Sequence, residues 1–273
     1  MASQIFSTHQ RPFQASGNIA ILEVLGPILD SKTTIEQLQD VKKDEKTKAV
    51  ILRVDSPGGS VGASQEIFDQ VRELKKTKPV VVSMGSVAAS GGYYVSAPAT
   101  KIIANAGTIT GSIGVRMELV NVEDLLQWAK VKPLTLKSGV LKDAGSPTRA
   151  MTPEEQSYLE AVLKKMHEQF KKSVAESRGL TTEEVDAVAD GRVLTGEEAR
   201  EKKLIDDIGN LDHAIQVAGQ LAGVDPEPYY PEGKESSFFG WLDHVKGKTQ
   251  ALARTFLFDE LSKAFAKPAF FYY

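Results

Sequence analysis

Two glycine-bearing turns constrain this chain more than any other feature. Asp55-Ser-Pro-Gly-Gly59-Ser60 follows the apolar run Ala49 to Val54 and precedes an amphipathic helical pattern. Met84-Gly-Ser-Val-Ala-Ala-Ser90-Gly91-Gly92-Tyr-Tyr94 follows a second apolar run, Pro79 to Val82, and also leads into a helix. Short apolar runs bounded by turn residues read as buried strands. An open α/β sheet presents its chemistry where strands hand over to helices. Two such turns side by side can supply a nucleophile and an oxyanion hole.

The surrounding pattern alternates. Asn18 to Val24 reads as a strand, Thr33 to Lys43 as a helix with Ile35, Leu38 and Val41 on one face, and Ala63 to Lys76 as a helix carrying Ile67, Phe68, Val71 and Leu74. Val80 to Ser83 and Lys101 to Ala104 read as strands, with a short helix between them that ends near Pro98. This order predicts parallel βαβ units and an α/β fold. Further on, the pattern predicts a helix around Val122 to Lys130 and a strand around Pro133 to Leu136. A long helix opens at Thr152-Pro-Glu-Glu155 and runs to about Ser177, and shorter helices cover Thr181 to Ala189, Thr195 to Lys203 and Leu211 to Ala222. There is no internal repeat, so a single domain is expected over 17–224. Residues 1–16 read as a flexible segment, and 225–273 as a Pro-rich linker followed by an aromatic, amphipathic helical extension. From Tyr229 onward the chain holds 12 of its 20 aromatic residues. Such a tail needs a surface: its own domain or a sister subunit first, a membrane or the substrate groove otherwise.

Composition narrows the function. A net charge of -3 offers no concentrated basic face, which removes nucleic acid as a partner. Zero cysteines removes disulfides, thiolate nucleophiles and cysteine-ligated metals. Met1 to Gly17 has no continuous apolar core and reads as neither a signal peptide nor a membrane span, which leaves the compartment open between soluble and membrane-associated.

A serine hydroxyl needs a base. The four histidines, His9, His167, His213 and His244, sit neither at a strand end nor beside a glycine turn, and read as surface or packed residues. A lysine can serve instead if a dry site disfavours its ammonium form. Leu134 to Pro147 offers Lys137 and Lys142. Residue chemistry alone leaves both lysines open against the ordinary reading of a solvated charge, and leaves Ser86 competing with Ser90.

Four spaced motifs together resemble the signal peptide peptidase A family of serine proteases: Gly85-Ser-Val-Ala-Ala-Ser-Gly-Gly-Tyr-Tyr94, Asp55-Ser-Pro-Gly-Gly59, Thr108-Ile-Thr-Gly-Ser-Ile-Gly114 and Lys137-Ser-Gly-Val-Leu-Lys142-Asp143. The resemblance runs from about Gly17 to Gly223. It implies stacked βαβ units of the Clp protease and crotonase type and a Ser-Lys dyad. Ser90, immediately before Gly91-Gly92, is then the nucleophile, and Lys142, three residues after Gly139, the general base. The oxyanion hole falls to the N–H groups of Gly91 and Gly59. Ser112 is a hydroxyl that could orient the lysine, or else only part of a backbone turn. No metal or organic cofactor is implied. The family's single-repeat members form ring or dome homo-oligomers in which the lysine comes from a neighbouring protomer, and hydrophobic peptides such as cleaved signal peptides are the implied substrates. An acyl-CoA enzyme of crotonase type and a non-catalytic, membrane-associated scaffold are the rival readings.

Overall fold

The computed structural model describes residues 17–231 and 271–272. In chain order the elements are β1 (Ile19–Leu25), α1 (Lys32–Lys43), β2 (Ala49–Ser56), β3 (Gly59–Ser60), α2 (Val61–Leu74), β4 (Val80–Ala89), α3 (Gly91–Ser96), β5 (Lys101–Ala104) and β6 (Ile109–Gly111). There follow α4 (Glu123–Trp128), a 3₁₀ turn (Val140–Asp143), α5 (Pro153–Arg178), α6 (Thr182–Asp186), β7 (Val193–Leu194), α7 (Gly196–Glu201), β8 (Asp207–Ile208), α8 (Leu211–Ala222), β9 (Pro228–Tyr229) and β10 (Phe271–Tyr272).

The main sheet runs β7-β6-β4-β2-β1-β9, with β5 beside β4 and β8 beyond β5. β1, β2, β4, β5 and β6 are mutually parallel, and β7 is antiparallel to β6. A parallel sheet covered on both faces needs strands that are apolar at nearly every position, and β1 and β2 supply that. Their alternation divides the core. Ala20, Leu22, Val50, Leu52, Val80 and Val82 pack with Leu38 and Val41 of α1 and with Ile67, Phe68 and Val71 of α2. Ile19, Ile21, Ala49, Ile51 and Val81 face the other way, onto Ala214, Ile215 and Ala218 of α8.

The helices begin where side-chain oxygens can take up free backbone amides. Thr152 with Glu155, Thr181 with Glu184 and Thr195 with Glu198 form capping boxes at α5, α6 and α7. Gly179 ends α5 in the left-handed conformation. The body of α5 is fixed by Phe170, fully buried and edge-on to Tyr94 of α3 at 4.8 Å.

The structure differs from the sequence reading at three places. No strand forms at Pro133–Leu136: residues 131–137 are exposed and belong to no regular element, because no neighbouring strand among the described residues offers its edge. β4 continues well beyond Ser83, to Ala89. The sheet also extends past residue 225 into the segment expected to be linker. Asn18 donates to the Asp225 carbonyl and accepts from the Glu227 amide, both at 2.9 Å, and Pro228–Tyr229 then pairs with Ile19–Ala20. Residues 1–16 and most of the aromatic tail, with His9 and His244, lie outside the described residues. Among the described residues no helix is long and apolar enough to cross a membrane.

Phe170→Ala opens a cavity behind α3 and should lower stability by about 3–5 kcal/mol, read as a shift in the urea unfolding midpoint at unchanged slope.

Candidate active site

Asp55 positions Ser90 through the backbone. The β2–β4 register slips between the pairs Val54–Met84 and Ser56–Ala88, and the Asp55 carboxylate accepts from the amides of Ser86 (3.3 Å) and Val87 (3.1 Å) inside that irregularity. Satisfying those two amides lets β4 pass through the bulge and continue to Ala89. Ser86 is therefore an exposed mid-strand residue, and Ser90 is the residue at the strand end. Strand length thus sets Ser90, and not Ser86, at the end of β4.

Ser90 leaves the strand with φ 52° and ψ -115°, a conformation rare for a side-chain-bearing residue. Holding it there costs about 1–3 kcal/mol, which the surrounding structure must over-determine. Its amide donates to the Gly111 carbonyl at 2.9 Å, and its carbonyl accepts from Tyr94 at 2.8 Å to open α3. The hydroxyl is fully buried, makes no cap bond and has no hydrogen-bond partner.

Gly91, first residue of α3, has an amide with no acceptor inside its own helix. A Cβ on Gly91 would lie 2.6 Å from Ser64 Oγ, 3.0 Å from the Gly59 nitrogen and 3.1 Å from the Gly58 Cα. A Cβ on Gly59 would lie 2.1 Å from the Ile28 carbonyl oxygen. Only hydrogen fits at either position. The two glycines thus let the β2–β3 turn press against the start of α3, with the Gly59 nitrogen 3.0 Å from where a Gly91 Cβ would stand.

Ser64, which the sequence reading did not single out, lies against the same turn. Among the described residues only Ser64 and Ser90 carry a buried side-chain oxygen without a partner, and Ser64 packs directly on Gly91. The signal was present: Ser64, Ile67, Phe68 and Val71 share one buried face of α2, and a hydroxyl in a core position calls for a reason.

Ser112 stands beside Ser90 by register. Ala89 pairs with Gly111, so the two serines are the next residues on adjacent parallel strands. Both leave with positive φ, 52° and 51°. The Ser112 amide donates to the Arg192 carbonyl at 2.8 Å. His167 meets the carbonyl of the following residue, Ile113, at 3.1 Å through Nε2, and His213 pairs with Asp207 at 2.9 Å.

The lysines lie elsewhere, on an arm between β6 and α5. Lys137 Nζ donates to the Val140 carbonyl at 2.9 Å and pairs with Asp143 at 2.5 Å, so its amine is already engaged. Lys142 sits in the 3₁₀ turn, exposed, with no side-chain partner among the described residues. A single chain therefore brings together Ser90, Gly91, Gly59 and Ser112, and leaves Lys142 in solvent. Arg149 holds the base of the arm, reaching Asp143 at 2.9 Å and pairing with Glu155 at the start of α5. The Arg149 guanidinium, helped by Lys137, pulls Asp143 down to about 2; Arg149, helped by the Thr152 amide, pulls Glu155 down to about 2. The arm's apolar side chains stand in solvent: Trp128, Leu134 and Leu136 are 82%, 86% and 89% exposed.

Two outcomes follow from this geometry. Gly91→Ala should slow acylation of Ser90 by an activated ester by about two to three orders of magnitude, because it displaces a candidate oxyanion amide, and should lower stability by about 1–3 kcal/mol, because the added methyl strikes Ser64 Oγ and the Gly58–Gly59 backbone. Folded-state pKa values below the usual carboxylate range contribute stability that is complete above about pH 4 and is lost as pH falls through about 2. Amide protection factors at Thr152–Glu155, measured against the intrinsic exchange rate at each pH, should accordingly fall between pH 4 and pH 2, and should already be low at pH 7 in Arg149→Met.

Comparison with known proteins places this geometry. The family model for Peptidase family S49 matches residues 72–225, and that for Clp protease matches residues 18–110. A Synechocystis sp. protein is 42% identical over 220 residues, 79% of each chain. Protease 4 of Salmonella typhi is 39% identical over 221 residues, 77% of this chain and 36% of that one. The chloroplastic serine protease SPPA of Arabidopsis thaliana is 36% identical over 204 residues, 74% of this chain and 30% of that one. The chain thus spans about a third of the length of these last two relatives. With a Clp protease-like α/β sheet presenting a buried serine between two glycine turns, the chain belongs to peptidase family S49, the serine-type peptidases.

Proposed function

We propose that the protein is an endopeptidase whose Ser-Lys dyad, Ser90 and Lys142, is completed between copies of the chain. One observation carries the reading: Ser90 Oγ is buried and unpartnered, at a point where Gly91 packs against Gly58–Gly59, while Lys142 has no partner among the described residues and stands on an arm whose apolar side chains are bare. An exposed apolar surface of this kind marks an association site. A neighbouring copy covering the arm would carry Lys142 out of water, where burial disfavours the ammonium form and leaves an amine able to accept a proton.

In the reaction, Ser90 Oγ bonds to the carbonyl carbon of a peptide while its proton passes to Lys142 Nζ. The carbonyl oxygen becomes an anion held by the amides of Gly59 and Gly91. The C–N bond then breaks, Lys142 returns the proton to the leaving amine, and water hydrolyses the acyl-serine ester through the same oxyanion hole. In this reading Ser112, which stands beside Ser90 in register, receives and orients the incoming amine. Unfolded hydrophobic peptides, including cleaved signal peptides, are the substrate class the family resemblance implies.

Ser90→Ala and Lys142→Ala should each cut hydrolysis of a fluorogenic hydrophobic peptide by at least about a thousandfold without shifting the unfolding midpoint. Mixed after subunit exchange, the two variants should recover activity approaching about a quarter of the wild type, since each repaired site needs one intact serine and one intact lysine from different copies. An inactive mixture would overturn the shared site. Full activity in either single variant would overturn the dyad.

A further inference from the structure

Helix α5 meets both serine-bearing turns with one face. Leu163, His167, Phe170 and Val174 recur along it at helical spacing, and Phe170 and Val174 are fully buried. Phe170 lies edge-on to Tyr94, whose amide donates to the Ser90 carbonyl at 2.8 Å. One turn earlier on the same face, His167 Nε2 lies 3.1 Å from the carbonyl of Ile113, a fully buried residue of the main core. A carbonyl only accepts, so Nε2 carries the proton and the imidazole donates. A polar ring on the apolar stripe of a helix calls for such a partner.

The turn that runs into Ile113 is the one that bears Ser112, and its consecutive residues are held from different sides. The Gly111 carbonyl accepts from the Ser90 amide at 2.9 Å, the Ser112 amide donates to the Arg192 carbonyl at 2.8 Å, and the Ile113 carbonyl accepts from His167. Ser112 sits between these contacts at φ 51°, a conformation that a side-chain-bearing residue keeps only where its surroundings fix it. From this we infer that His167 is a positioning residue for the reaction: its Nε2–H clamps the Ser112 turn and so aims the hydroxyl that receives the lysine amine. The inference rests on the peptidase reading for its effect on rate, and on the His167–Ile113 hydrogen bond for its existence. The role needs no change of charge, since a neutral ring with its proton on Nε2 already donates. Phe170 and His167 thus set the places of Ser90 and Ser112 from a single helix.

Two substitutions in the full chain separate the hydrogen bond from the packing: His167→Phe keeps a ring and removes the donor, and His167→Gln returns an N–H at similar reach. His167→Phe should lower kcat for a fluorogenic hydrophobic peptide about ten- to a hundredfold with KM unchanged. His167→Gln should keep kcat within about threefold of the wild type. An unchanged kcat in His167→Phe, or an equal loss in both variants, would overturn the inference. Added to Ser112→Ala, His167→Phe should cost no more than about a further twofold, because it acts through that hydroxyl; losses that multiply would show a general structural role instead and sink the proposal. In a Ser90→Ala background, where no turnover occurs, amide protection at Ser112 should fall at least about tenfold in His167→Phe and hold in His167→Gln. Equal protection with and without the donor refutes the clamp. If the wild-type chain hydrolyses no peptide while the difference in protection persists, the clamp stands and the dyad reading is the one that fails.

Discussion

The placement of Ser90 depends on the Asp55 carboxylate. A parallel strand that slips register against its neighbour leaves amides facing no carbonyl, and such a strand ordinarily stops. Here one carboxylate accepts from two successive amides of β4, and the strand continues to Ala89. The extra length does two things. It provides an edge for β6, which pairs with Val87–Ala89 just beyond the stretch used by β5. It also carries Ser90 to the point where the β2–β3 turn can close on the first residue of α3.

That closure shows how backbone, rather than side chains, builds the centre. Gly91 and Gly59 are held at separations that admit no methyl group, and the neighbours they would strike are mostly main-chain atoms that cannot yield. Ser90 contributes the strained φ/ψ and Ser112 mirrors it on the adjacent strand. Helix α5 braces the assembly from behind through Phe170 on Tyr94, and Tyr94 Oη meets Ser173 at 2.9 Å. The same helix anchors the arm at its other end through Glu155 and Arg149. One element thus links the serine scaffold to the segment that bears the lysine.

The sequence was read correctly where local pattern and tertiary environment agree. The bounds of α8, Leu211–Ala222, coincide with those expected, because its apolar face and the left-handed Gly223 specify both the helix and its stop. The strand expected around Pro133–Leu136 fails because β-type composition needs an edge to pair with. The underestimate of β4 arises because Gly85 and Ser86 look like a turn when the carboxylate that satisfies the amides of Ser86 and Val87 lies more than thirty residues away. Ser64 was legible only as a hydroxyl on a core face, and its contact with Gly91 is a tertiary fact.

The order of residues alone determined the α/β alternation, the two glycine turns and the exclusion of thiol chemistry, since each depends on local spacing or composition. The position of Ser90, rather than Ser86, at the strand end was decided by the folded chain, through a strand extended by a distant carboxylate. So was the engagement of Lys137 by Asp143, and so was the pairing of Phe271–Tyr272 with the strand that bears Gly59. These are contacts between residues far apart in sequence, and only a folded backbone brings such partners within hydrogen-bonding reach.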